Sequence, residues 1–278
     1  MLTDRPNGIS MLLASQNAIA TVEMSVLSNL CFADEIIAVD NGSTDGTVEV
    51  LERLAGEHDK LTFINAPDIV HLYENRQLAF ERSRYRWIVR GDSDFIAFTS
   101  GHRDIRNLRA MVLDTKPEEK PIAFAAIGKY VIGDFYHTKA GYETANLGHR
   151  VYQHVDGVKF ARAGRWEAPV LPGHPDGRGW HRIRLGVPYW MHASIKSPMD
   201  RMLRQFRTPW RELGDFDKFP TPESYARSRR PDLFEDGEIE RWAEKQNKSL
   251  VPYKGDYPEI VLKKWKVQSA SIQAVRKP

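Results

Sequence analysis

The 278-residue sequence has only one cysteine, Cys31, and no cluster of residues typical of a zinc site. A single cysteine excludes an internal disulfide framework and fits a protein of a reducing compartment. Because Cys31 lies in an apolar segment, we assign it to packing rather than to catalysis. The histidines do not have zinc-ligand spacing, so we assign no zinc.

The sequence also lacks long hydrophobic runs and a strong excess of charge. No apolar stretch reaches the length that spans a bilayer, and residues 1–7 do not have the basic and apolar regions of a signal peptide. The formal net charge of +3 is compatible with an anionic partner but does not by itself indicate one. We therefore expect a cytoplasmic protein. Its hydrophobic content of 41% is ordinary for a globular fold.

Two apolar runs near the N-terminus predict neighbouring parallel strands. The first is 9–14, and the second is 36–39, which is rich in Ile and Val and ends at Asp40. Each run is followed by a stretch of helical periodicity. The first run, the helix after it and the second run together make a βαβ unit. The carboxyl ends of such strands meet at one edge of the sheet, where ligands bind. A loop with carboxylate, amide and hydroxyl groups at that edge suits a nucleoside, so Asp40 and Asn41 are expected in the pocket that contacts it.

Two further acids follow a later strand. The predicted strand begins with Trp-Ile-Val at 87–89, and Asp92 and Asp94 flank Ser93 at its end. Both carboxylates can face one ligand if the loop bends. As hard oxygen ligands they suit Mg²⁺ or Mn²⁺ held jointly with a diphosphate. We also expect Asp92 and Ser93 to contact the nucleotide that carries this diphosphate.

These two stretches together resemble the signatures of family 2 glycosyltransferases, which have the GT-A fold. The first signature is Asp-Asn-Gly-Ser-Thr-Asp at 40–45, and the second is the Asp-x-Asp (DXD) motif at 92–94. Arg90 and Gly91 depart from the family, which usually has apolar residues there, as does Phe95, where a Glu is frequent. The resemblance implies an α/β fold, a Rossmann-like α/β/α sandwich with a mixed central sheet.

The resemblance also implies contacts to the nucleotide sugar. Ala14, Ser15 and Asn17 would border the base of a nucleoside diphosphate, although each also fits an ordinary strand-to-helix turn. Asn75 matches an Asn near the donor diphosphate in the family. Arg76 could add a phosphate contact, but a surface role is the simpler interpretation, because the charges of its helix mostly read as a solvated face.

The regular alternation of strand and helix stops after residue 94, where a GT-A enzyme passes from donor to acceptor binding. Residues 121–136 are apolar and interrupted by glycine, which predicts one or two strands. Residues 151–160 predict a hairpin whose tight turn is Asp156-Gly157.

Glu167 is the candidate general base, and His192 is a candidate metal ligand. A carboxylate within reach of an acceptor hydroxyl can take its proton as the hydroxyl attacks, and family members often have an acid here. Asp156 and Asp176 are the alternatives. A neutral imidazole at a late strand end completes the metal site in some GT-A enzymes, so His192 would join the DXD acids.

Residues 198–213 have the periodicity of an amphipathic helix with a basic stripe. The stripe comprises Arg201, Arg204, Arg207 and Arg211. It could rest on an anionic membrane surface, a phosphate-bearing acceptor or nucleic acid, but we interpret it first as a solvated flank of the core. We predict a GT-A catalytic domain over 1–214 and a C-terminal helical extension over 215–278. The domain divides into a nucleotide-sugar-binding half, 1–98, and an acceptor half, 99–214.

The resemblance thus implies an inverting, metal-dependent glycosyltransferase, of the hexosyltransferase kind. Its donor would be a nucleoside diphosphate sugar, its cofactor Mn²⁺ or Mg²⁺, and its acceptor a hydroxyl of a glycan or lipid-linked glycan. Modified nucleic acid is an alternative acceptor. A non-catalytic sugar- or nucleic-acid-binding module is an alternative function, against which the intact Asp40, Asp92 and Asp94 argue.

Overall fold

The computed structural model describes residues 4–116, 118–163, 166–174 and 178–265, and it shows an α/β protein. The strands of the first half are β1 (Ile9–Ser15), β2 (Glu35–Asp40), β3 (Leu61–Asn65), β4 (Trp87–Asp92), β5 (Phe95–Ala97) and β6 (Ile122–Ile132). The later strands are β7 (His137–Lys139), β8 (Thr144–Gln153), β9 (Lys159–Ala163), β10 (Trp166–Val170), β11 (His181–Arg184), β12 (Trp190–Ser194) and β13 (Leu250–Pro252).

Helices connect and cover these strands. They are α1 (Val22–Asn29), α2 (Thr47–Glu57), α3 (Leu72–Glu81), α4 (Ile105–Asp114), α5 (Pro198–Leu213), α6 (Pro222–Arg229), α7 (Glu238–Asn247) and α8 (Glu259–Trp265). Short 3-10 helices lie at Gly101–Arg103 and Pro231–Phe234. Among the described residues, no helix is both long enough and apolar enough to cross a membrane.

The central sheet is mixed, as the fold prediction required. Its order is β3-β2-β1-β4-β8-β6-β12-β5, and β11 pairs with β6 beside this path. The first four strands in this order are parallel, while β8 runs antiparallel to both β4 and β6. Parallel pairing places Ser15 opposite Asp40 and Ala14 opposite Asp92. The polar strand ends predicted from the sequence therefore meet at one edge.

The sheet is buried on both faces because its strands are apolar on both sides. Ile9, Met11 and Leu13 of β1 pack in a cluster with side chains from α1, α2 and α4. Leu12 faces the opposite side, in a cluster with Phe80 of α3. The two faces of one strand thus enter two hydrophobic layers, which makes β1 a rigid support for the loop after it.

The predicted hairpin over 151–160 is wrong. A turn does form at Asp156-Gly157, and Gly157 has a φ of 77°, which favours glycine. However, β8 pairs with β4 and β6 in the central sheet, whereas β9 pairs with β10 in a separate two-stranded sheet. The turn therefore directs the chain out of the central sheet.

The C-terminal helices pack on the α/β core at two places. Met202 of α5, Ala226 of α6 and Leu233 form a buried cluster. Tyr257, which precedes α8, and Val261 of α8 pack in a cluster with side chains of α1, β5 and β12. The described part of residues 215–278 thus packs on α5 and on the end of the sheet that carries β5 and β12.

Candidate active site at the carboxyl edge of the sheet

A cavity of about 280 Å³, here called the central cavity, lies where β1, β4 and β12 end and α5 crosses above them. The predicted site residues that line it are Ala14, Ser15, Asn41, Asp92, Ser93, Asp94, Glu167 and His192. Its other lining residues are Gln16, Leu72, Arg90, Arg150, Lys196, Asp200, Arg204, Arg207, Thr208 and Arg211. Four predicted nucleotide contacts are not part of this lining, namely Asn17, Asp40, Asn75 and Arg76.

Asp40 is buried and shapes the loop that follows β2. Its Oδ1 accepts hydrogen bonds from the backbone N–H groups of Gly42 at 3.1 Å and Ser43 at 2.8 Å. Its Oδ2 accepts one from the Ser43 hydroxyl at 2.6 Å. Asp side chains stabilise turns in this way. Asp40 therefore holds the loop in the shape that presents Asn41 to the cavity.

Asn17 and Asn75 also fix backbone rather than lining the cavity. Asn17 has a φ of 47°, which Asn tolerates better than most residues. Its side chain donates to Asp200 Oδ1 at 2.7 Å and accepts from the Thr44 N–H at 2.9 Å, which joins three segments. Asn75 is fully buried and donates to the Val39 carbonyl at 2.9 Å. Both residues thus position the loops that bear the lining side chains.

Asp92, the first acid of the DXD motif, is held between two arginines. Arg76 donates to its Oδ1, and Arg150 Nη1 donates to its Oδ2 at 2.8 Å. Burial by itself would raise the pKa of Asp92, but the charges of Arg150 and Arg76 outweigh burial and hold this pKa well below its usual range. Asp92 is therefore ionised at neutral pH, with both oxygens hydrogen-bonded.

The surface role expected for Arg76 is wrong. Its side chain is fully buried, and its guanidinium donates to the carbonyl oxygens of Leu12 and Gly91 as well as to Asp92. Its Nε lies 3.5 Å from Glu167 Oε1. A buried guanidinium needs such partners, because an unpaired buried charge is costly. Arg76 thus ties β1 and β4 to the strand that bears Glu167.

Glu167 faces the central cavity from β10, where it is fixed by arginines. Its Oε1 lies 3.5 Å from Arg76 Nε and 3.9 Å from Arg90 Nη1, and its side chain is only 8% exposed. These ion pairs hold the carboxylate in place at the cavity wall. Of the alternative bases, Asp156 is exposed on its turn. Asp176 lies outside the described residues.

Asp94 and His192 form a pair at the other side of the cavity. Asp94 Oδ2 lies 3.2 Å from His192 Nε2, whereas Asp94 Oδ1 is buried and has no hydrogen-bond partner among the described residues. Burial favours a raised pKa for Asp94, but His192 outweighs it and lowers this pKa. The unpaired oxygen is one that a cation could take.

The predicted three-ligand metal set is not assembled as such. Among the described residues, no group of three or more His, Cys, Asp or Glu side chains is placed to hold a metal ion. The physical reason is that both oxygens of Asp92 are engaged by Arg76 and Arg150. Of the predicted set, Asp94 and His192 lie beside each other in the cavity lining, and no described residue hydrogen-bonds to Asp94 Oδ1.

Several cationic residues of the cavity carried no role in the sequence prediction. Arg150 lies with its guanidinium 4.3 Å from the centroid of the Phe95 ring, and burial lowers its pKa to about 10. It is therefore still charged at neutral pH. Lys196 Nζ donates to the carbonyl oxygens of Gln16 and Asn17, so it fixes the loop after β1. The helical periodicity and motifs of the sequence do not reveal these contacts across the fold.

The interpretation of the α5 stripe as a solvated flank is wrong for Arg207 and Arg211, which are only partly exposed, whereas Arg204 is exposed as that interpretation expects. Arg204, Arg207 and Arg211 line the central cavity. The Arg207 side chain is 20% exposed, and its guanidinium lies 3.7 Å from Asp200 Oδ1. In all, six cationic side chains and four carboxylates line the cavity. The arrangement can therefore hold an anion beside a site for a cation.

The segment that builds this edge is similar to a known protein family. Residues 15–100 match the family model of glycosyl transferase family 2. The resemblance stated from the sequence is thereby confirmed over these residues. The matched range contains the loop after β2, all of α3 and the DXD motif. No curated protein sequence matches this chain.

Solved glycosyltransferase structures are similar to the chain at low identity. S. aureus TarS 1-349 in complex with UDP-GlcNAc is 12% identical, with a TM-score of 0.47, and the match covers 68% of this chain and 59% of that one. The mannosyltransferase PcManGT from Pyrobaculum calidifontis, in complex with GDP-Man and Mn²⁺, is 14% identical, with a TM-score of 0.45 and coverages of 99% and 82%. The match to the TarS 1-349 structures spans 59% to 64% of their length.

Proposed function

We propose that this protein transfers a sugar, of the hexose kind, from a nucleoside diphosphate sugar to a hydroxyl group of a glycan or lipid-linked glycan. The observation that carries the proposal is where the family 2 match falls. Residues 15–100 supply Ser15, Asn41, Asp92 and Asp94, and these side chains converge on the central cavity. We assign the nucleotide to the half 1–98, and the acceptor to the half 99–214.

The diphosphate would lie between the DXD loop and α5. Lys196 and Arg207 face this space, and both are cationic donors that suit phosphate oxygens. Asp94 and His192 would hold Mn²⁺ or Mg²⁺, because Asp94 Oδ1 is buried and has no hydrogen-bond partner in the part of the chain that the structure describes. The ion would neutralise charge that develops on the departing diphosphate. Asp92 would then act through the arginines that it pairs with, of which Arg150 lines the cavity.

Glu167 would act as the general base. It would accept the proton of the acceptor hydroxyl at Oε1 or Oε2 while that oxygen attacks the anomeric carbon and the bond to the diphosphate breaks. Its ion pairs with Arg76 and Arg90 keep the carboxylate in place. Attack from the face opposite the diphosphate inverts the anomeric centre, which is the outcome that the resemblance implies.

A donor screen tests this proposal. Purified protein is incubated with UDP-, GDP- and dTDP-sugars in the presence of Mn²⁺, and release of the nucleoside diphosphate is measured with and without EDTA. We expect release from one nucleotide class, and we expect EDTA to suppress it. The matched variant is Asp94→Asn, which should lose the metal-dependent part because it replaces an anionic ligand. No release from any donor by the wild-type protein would contradict the proposal.

A further inference from the structure

A second cavity of about 330 Å³, here called the side cavity, lies next to the central one. Strands β6, β7 and β12 form one side, and α5 and α7 form the other. Tyr130 and Trp242 supply aromatic surface to its lining, and Gln205 and Gln246 supply amides. Pockets of this kind, with aromatic walls and a few polar groups, bind small molecules.

The charge of the side cavity is of one sign. Of the described residues that line it, four are cationic, namely Lys139, Lys196, Arg201 and Arg204, and none is acidic. The central cavity, in contrast, has four carboxylates among its lining residues. Unbalanced positive charge in a concave site concentrates anions there.

Three of these cations donate hydrogen bonds to neutral partners, although carboxylates outside the lining also act on them: burial lowers the pKa of Lys196 and of Arg201, and Asp94 and Asp134, respectively, offset part of this. Arg201 Nη1 donates to the neutral amide oxygen of Asn247 at 2.8 Å, and Arg204 Nη1 donates to the Ser194 hydroxyl at 3.3 Å. Lys196 donates to backbone carbonyl oxygens. These partners orient the side chains without supplying negative charge. An anionic ligand would therefore be the counterion.

The side cavity also adjoins the proposed reaction centre. Lys196 and Arg204 line both cavities. The ring of Tyr130, in the side cavity, lies with its centroid 5.1 Å from that of His192, which lines the central cavity. A molecule bound in the side cavity could therefore extend a hydroxyl toward the donor sugar.

We propose that the side cavity binds the phosphate group of a phosphorylated saccharide, which is the acceptor. The proposal rests on the proposed function for its role in transfer, but the binding site itself does not depend on it. The cations would pair with the phosphate, and Tyr130 and Trp242 would pack against the sugar ring. The hydroxyl to be glycosylated would then point into the central cavity.

The test is a calorimetric titration with five probes: glucose 6-phosphate, N-acetylglucosamine 6-phosphate, their two unphosphorylated parents and inorganic phosphate. UDP and GDP are titrated first, and the probes are then added to the free protein and to protein saturated with the nucleotide that binds. The variants are Lys139→Ala and Lys139→Ala/Arg201→Ala, which change residues of the side cavity only. The control is Arg53→Ala/Lys120→Ala, which removes two cations outside both cavities.

We expect at least one sugar phosphate to bind in the presence of nucleotide, more than tenfold tighter than its parent sugar. Its dissociation constant should rise with salt, as expected for partly exposed charges. The constant should also rise about tenfold in Lys139→Ala and further in the double variant, while the control stays at the wild-type value. Lys139→Ala serves as the readout if loss of the Arg201–Asn247 hydrogen bond unfolds the double variant.

Three results would overturn the proposal. The first is that the sugar phosphates bind with the same dissociation constants as their parent sugars, and the second is that Lys139→Ala leaves the dissociation constant of the sugar phosphate unchanged. The third is that the nucleotide displaces the sugar phosphate. Inorganic phosphate that binds as tightly as the sugar phosphates would refute the saccharide part. Failure of both UDP and GDP to bind would instead count against the proposed function. The proposal for the side cavity would still be tested, because the sugar phosphate titrations on the free protein need no nucleotide.

Discussion

Substitution of Glu167 by Gln should lower the rate of sugar transfer by at least about 100-fold, which is the low end of what a general base contributes. Gln retains the size of the side chain but cannot accept the hydroxyl proton. The affinity for the nucleoside diphosphate should remain within about twofold of wild type, because the proposed role of Glu167 lies in the chemical step. The measurement is turnover with the best donor and acceptor, alongside calorimetry of the nucleotide.

Glu212→Gln is the matched control for this substitution. Glu212 is also a carboxylate in an ion pair, with Arg162, but its side chain is 46% exposed and does not line the central cavity. The control should therefore keep wild-type turnover. If Glu167→Gln turns over at a rate near that of wild type, the base lies elsewhere in the chain.

Asp92→Asn should lower the free energy of unfolding by about 3 kcal/mol, the low end of the cost of breaking a buried ion pair. The change removes the carboxylate that pairs with both Arg76 and Arg150. The Arg76 side chain is fully buried and that of Arg150 is 11% exposed, so both charges would lose this partner away from solvent. Chemical denaturation followed by circular dichroism measures the difference. Asp232→Asn is the control, because the Asp232–Arg230 pair is exposed and should contribute little to stability.

The cost of Asp92→Asn should also depend on pH. Because the pKa of Asp92 is lowered in the folded protein, its contribution to stability is fully present above its ordinary pKa of about 4 and is lost as the pH falls through the lower folded value. The difference between wild type and variant should thus be constant from pH 7 to about 5 and should narrow below about 4. A difference that is small at pH 7 would show that Asp92 does not neutralise the two arginines.

The sequence predicted the carboxyl edge of the parallel strands well because its signals there are local. The apolar strands that end in Ser15 and Asp40, and the turn residues that follow, need only a few neighbouring residues to define them. Parallel pairing then brings these strand ends together. For the same reason, the acids of the DXD motif were placed at the correct edge of the sheet.

The contacts across the fold could not be predicted in this way. The pairing of Asp92 with Arg150 joins residues 58 positions apart, and no periodicity along the chain encodes it. Asp92 was expected to be a metal ligand, but in the structure both of its oxygens accept hydrogen bonds from arginines, Arg76 and Arg150. The hairpin prediction at 151–160 failed similarly, because β8 finds its partners in the distant strands β4 and β6.

The most direct test of the central claim, that the central cavity holds a nucleoside diphosphate, is calorimetric titration of UDP and GDP into wild type and two arginine variants. Arg207→Ala removes a cation from the cavity, and Arg53→Ala removes an exposed one on α2. We predict that one nucleotide binds to wild type and that Arg207→Ala weakens it tenfold or more, since a hydrogen bond to a charged group contributes about 1.5–3 kcal/mol. Arg53→Ala should bind as wild type does. Equal affinity in all three proteins, or no binding of either nucleotide, would contradict the account.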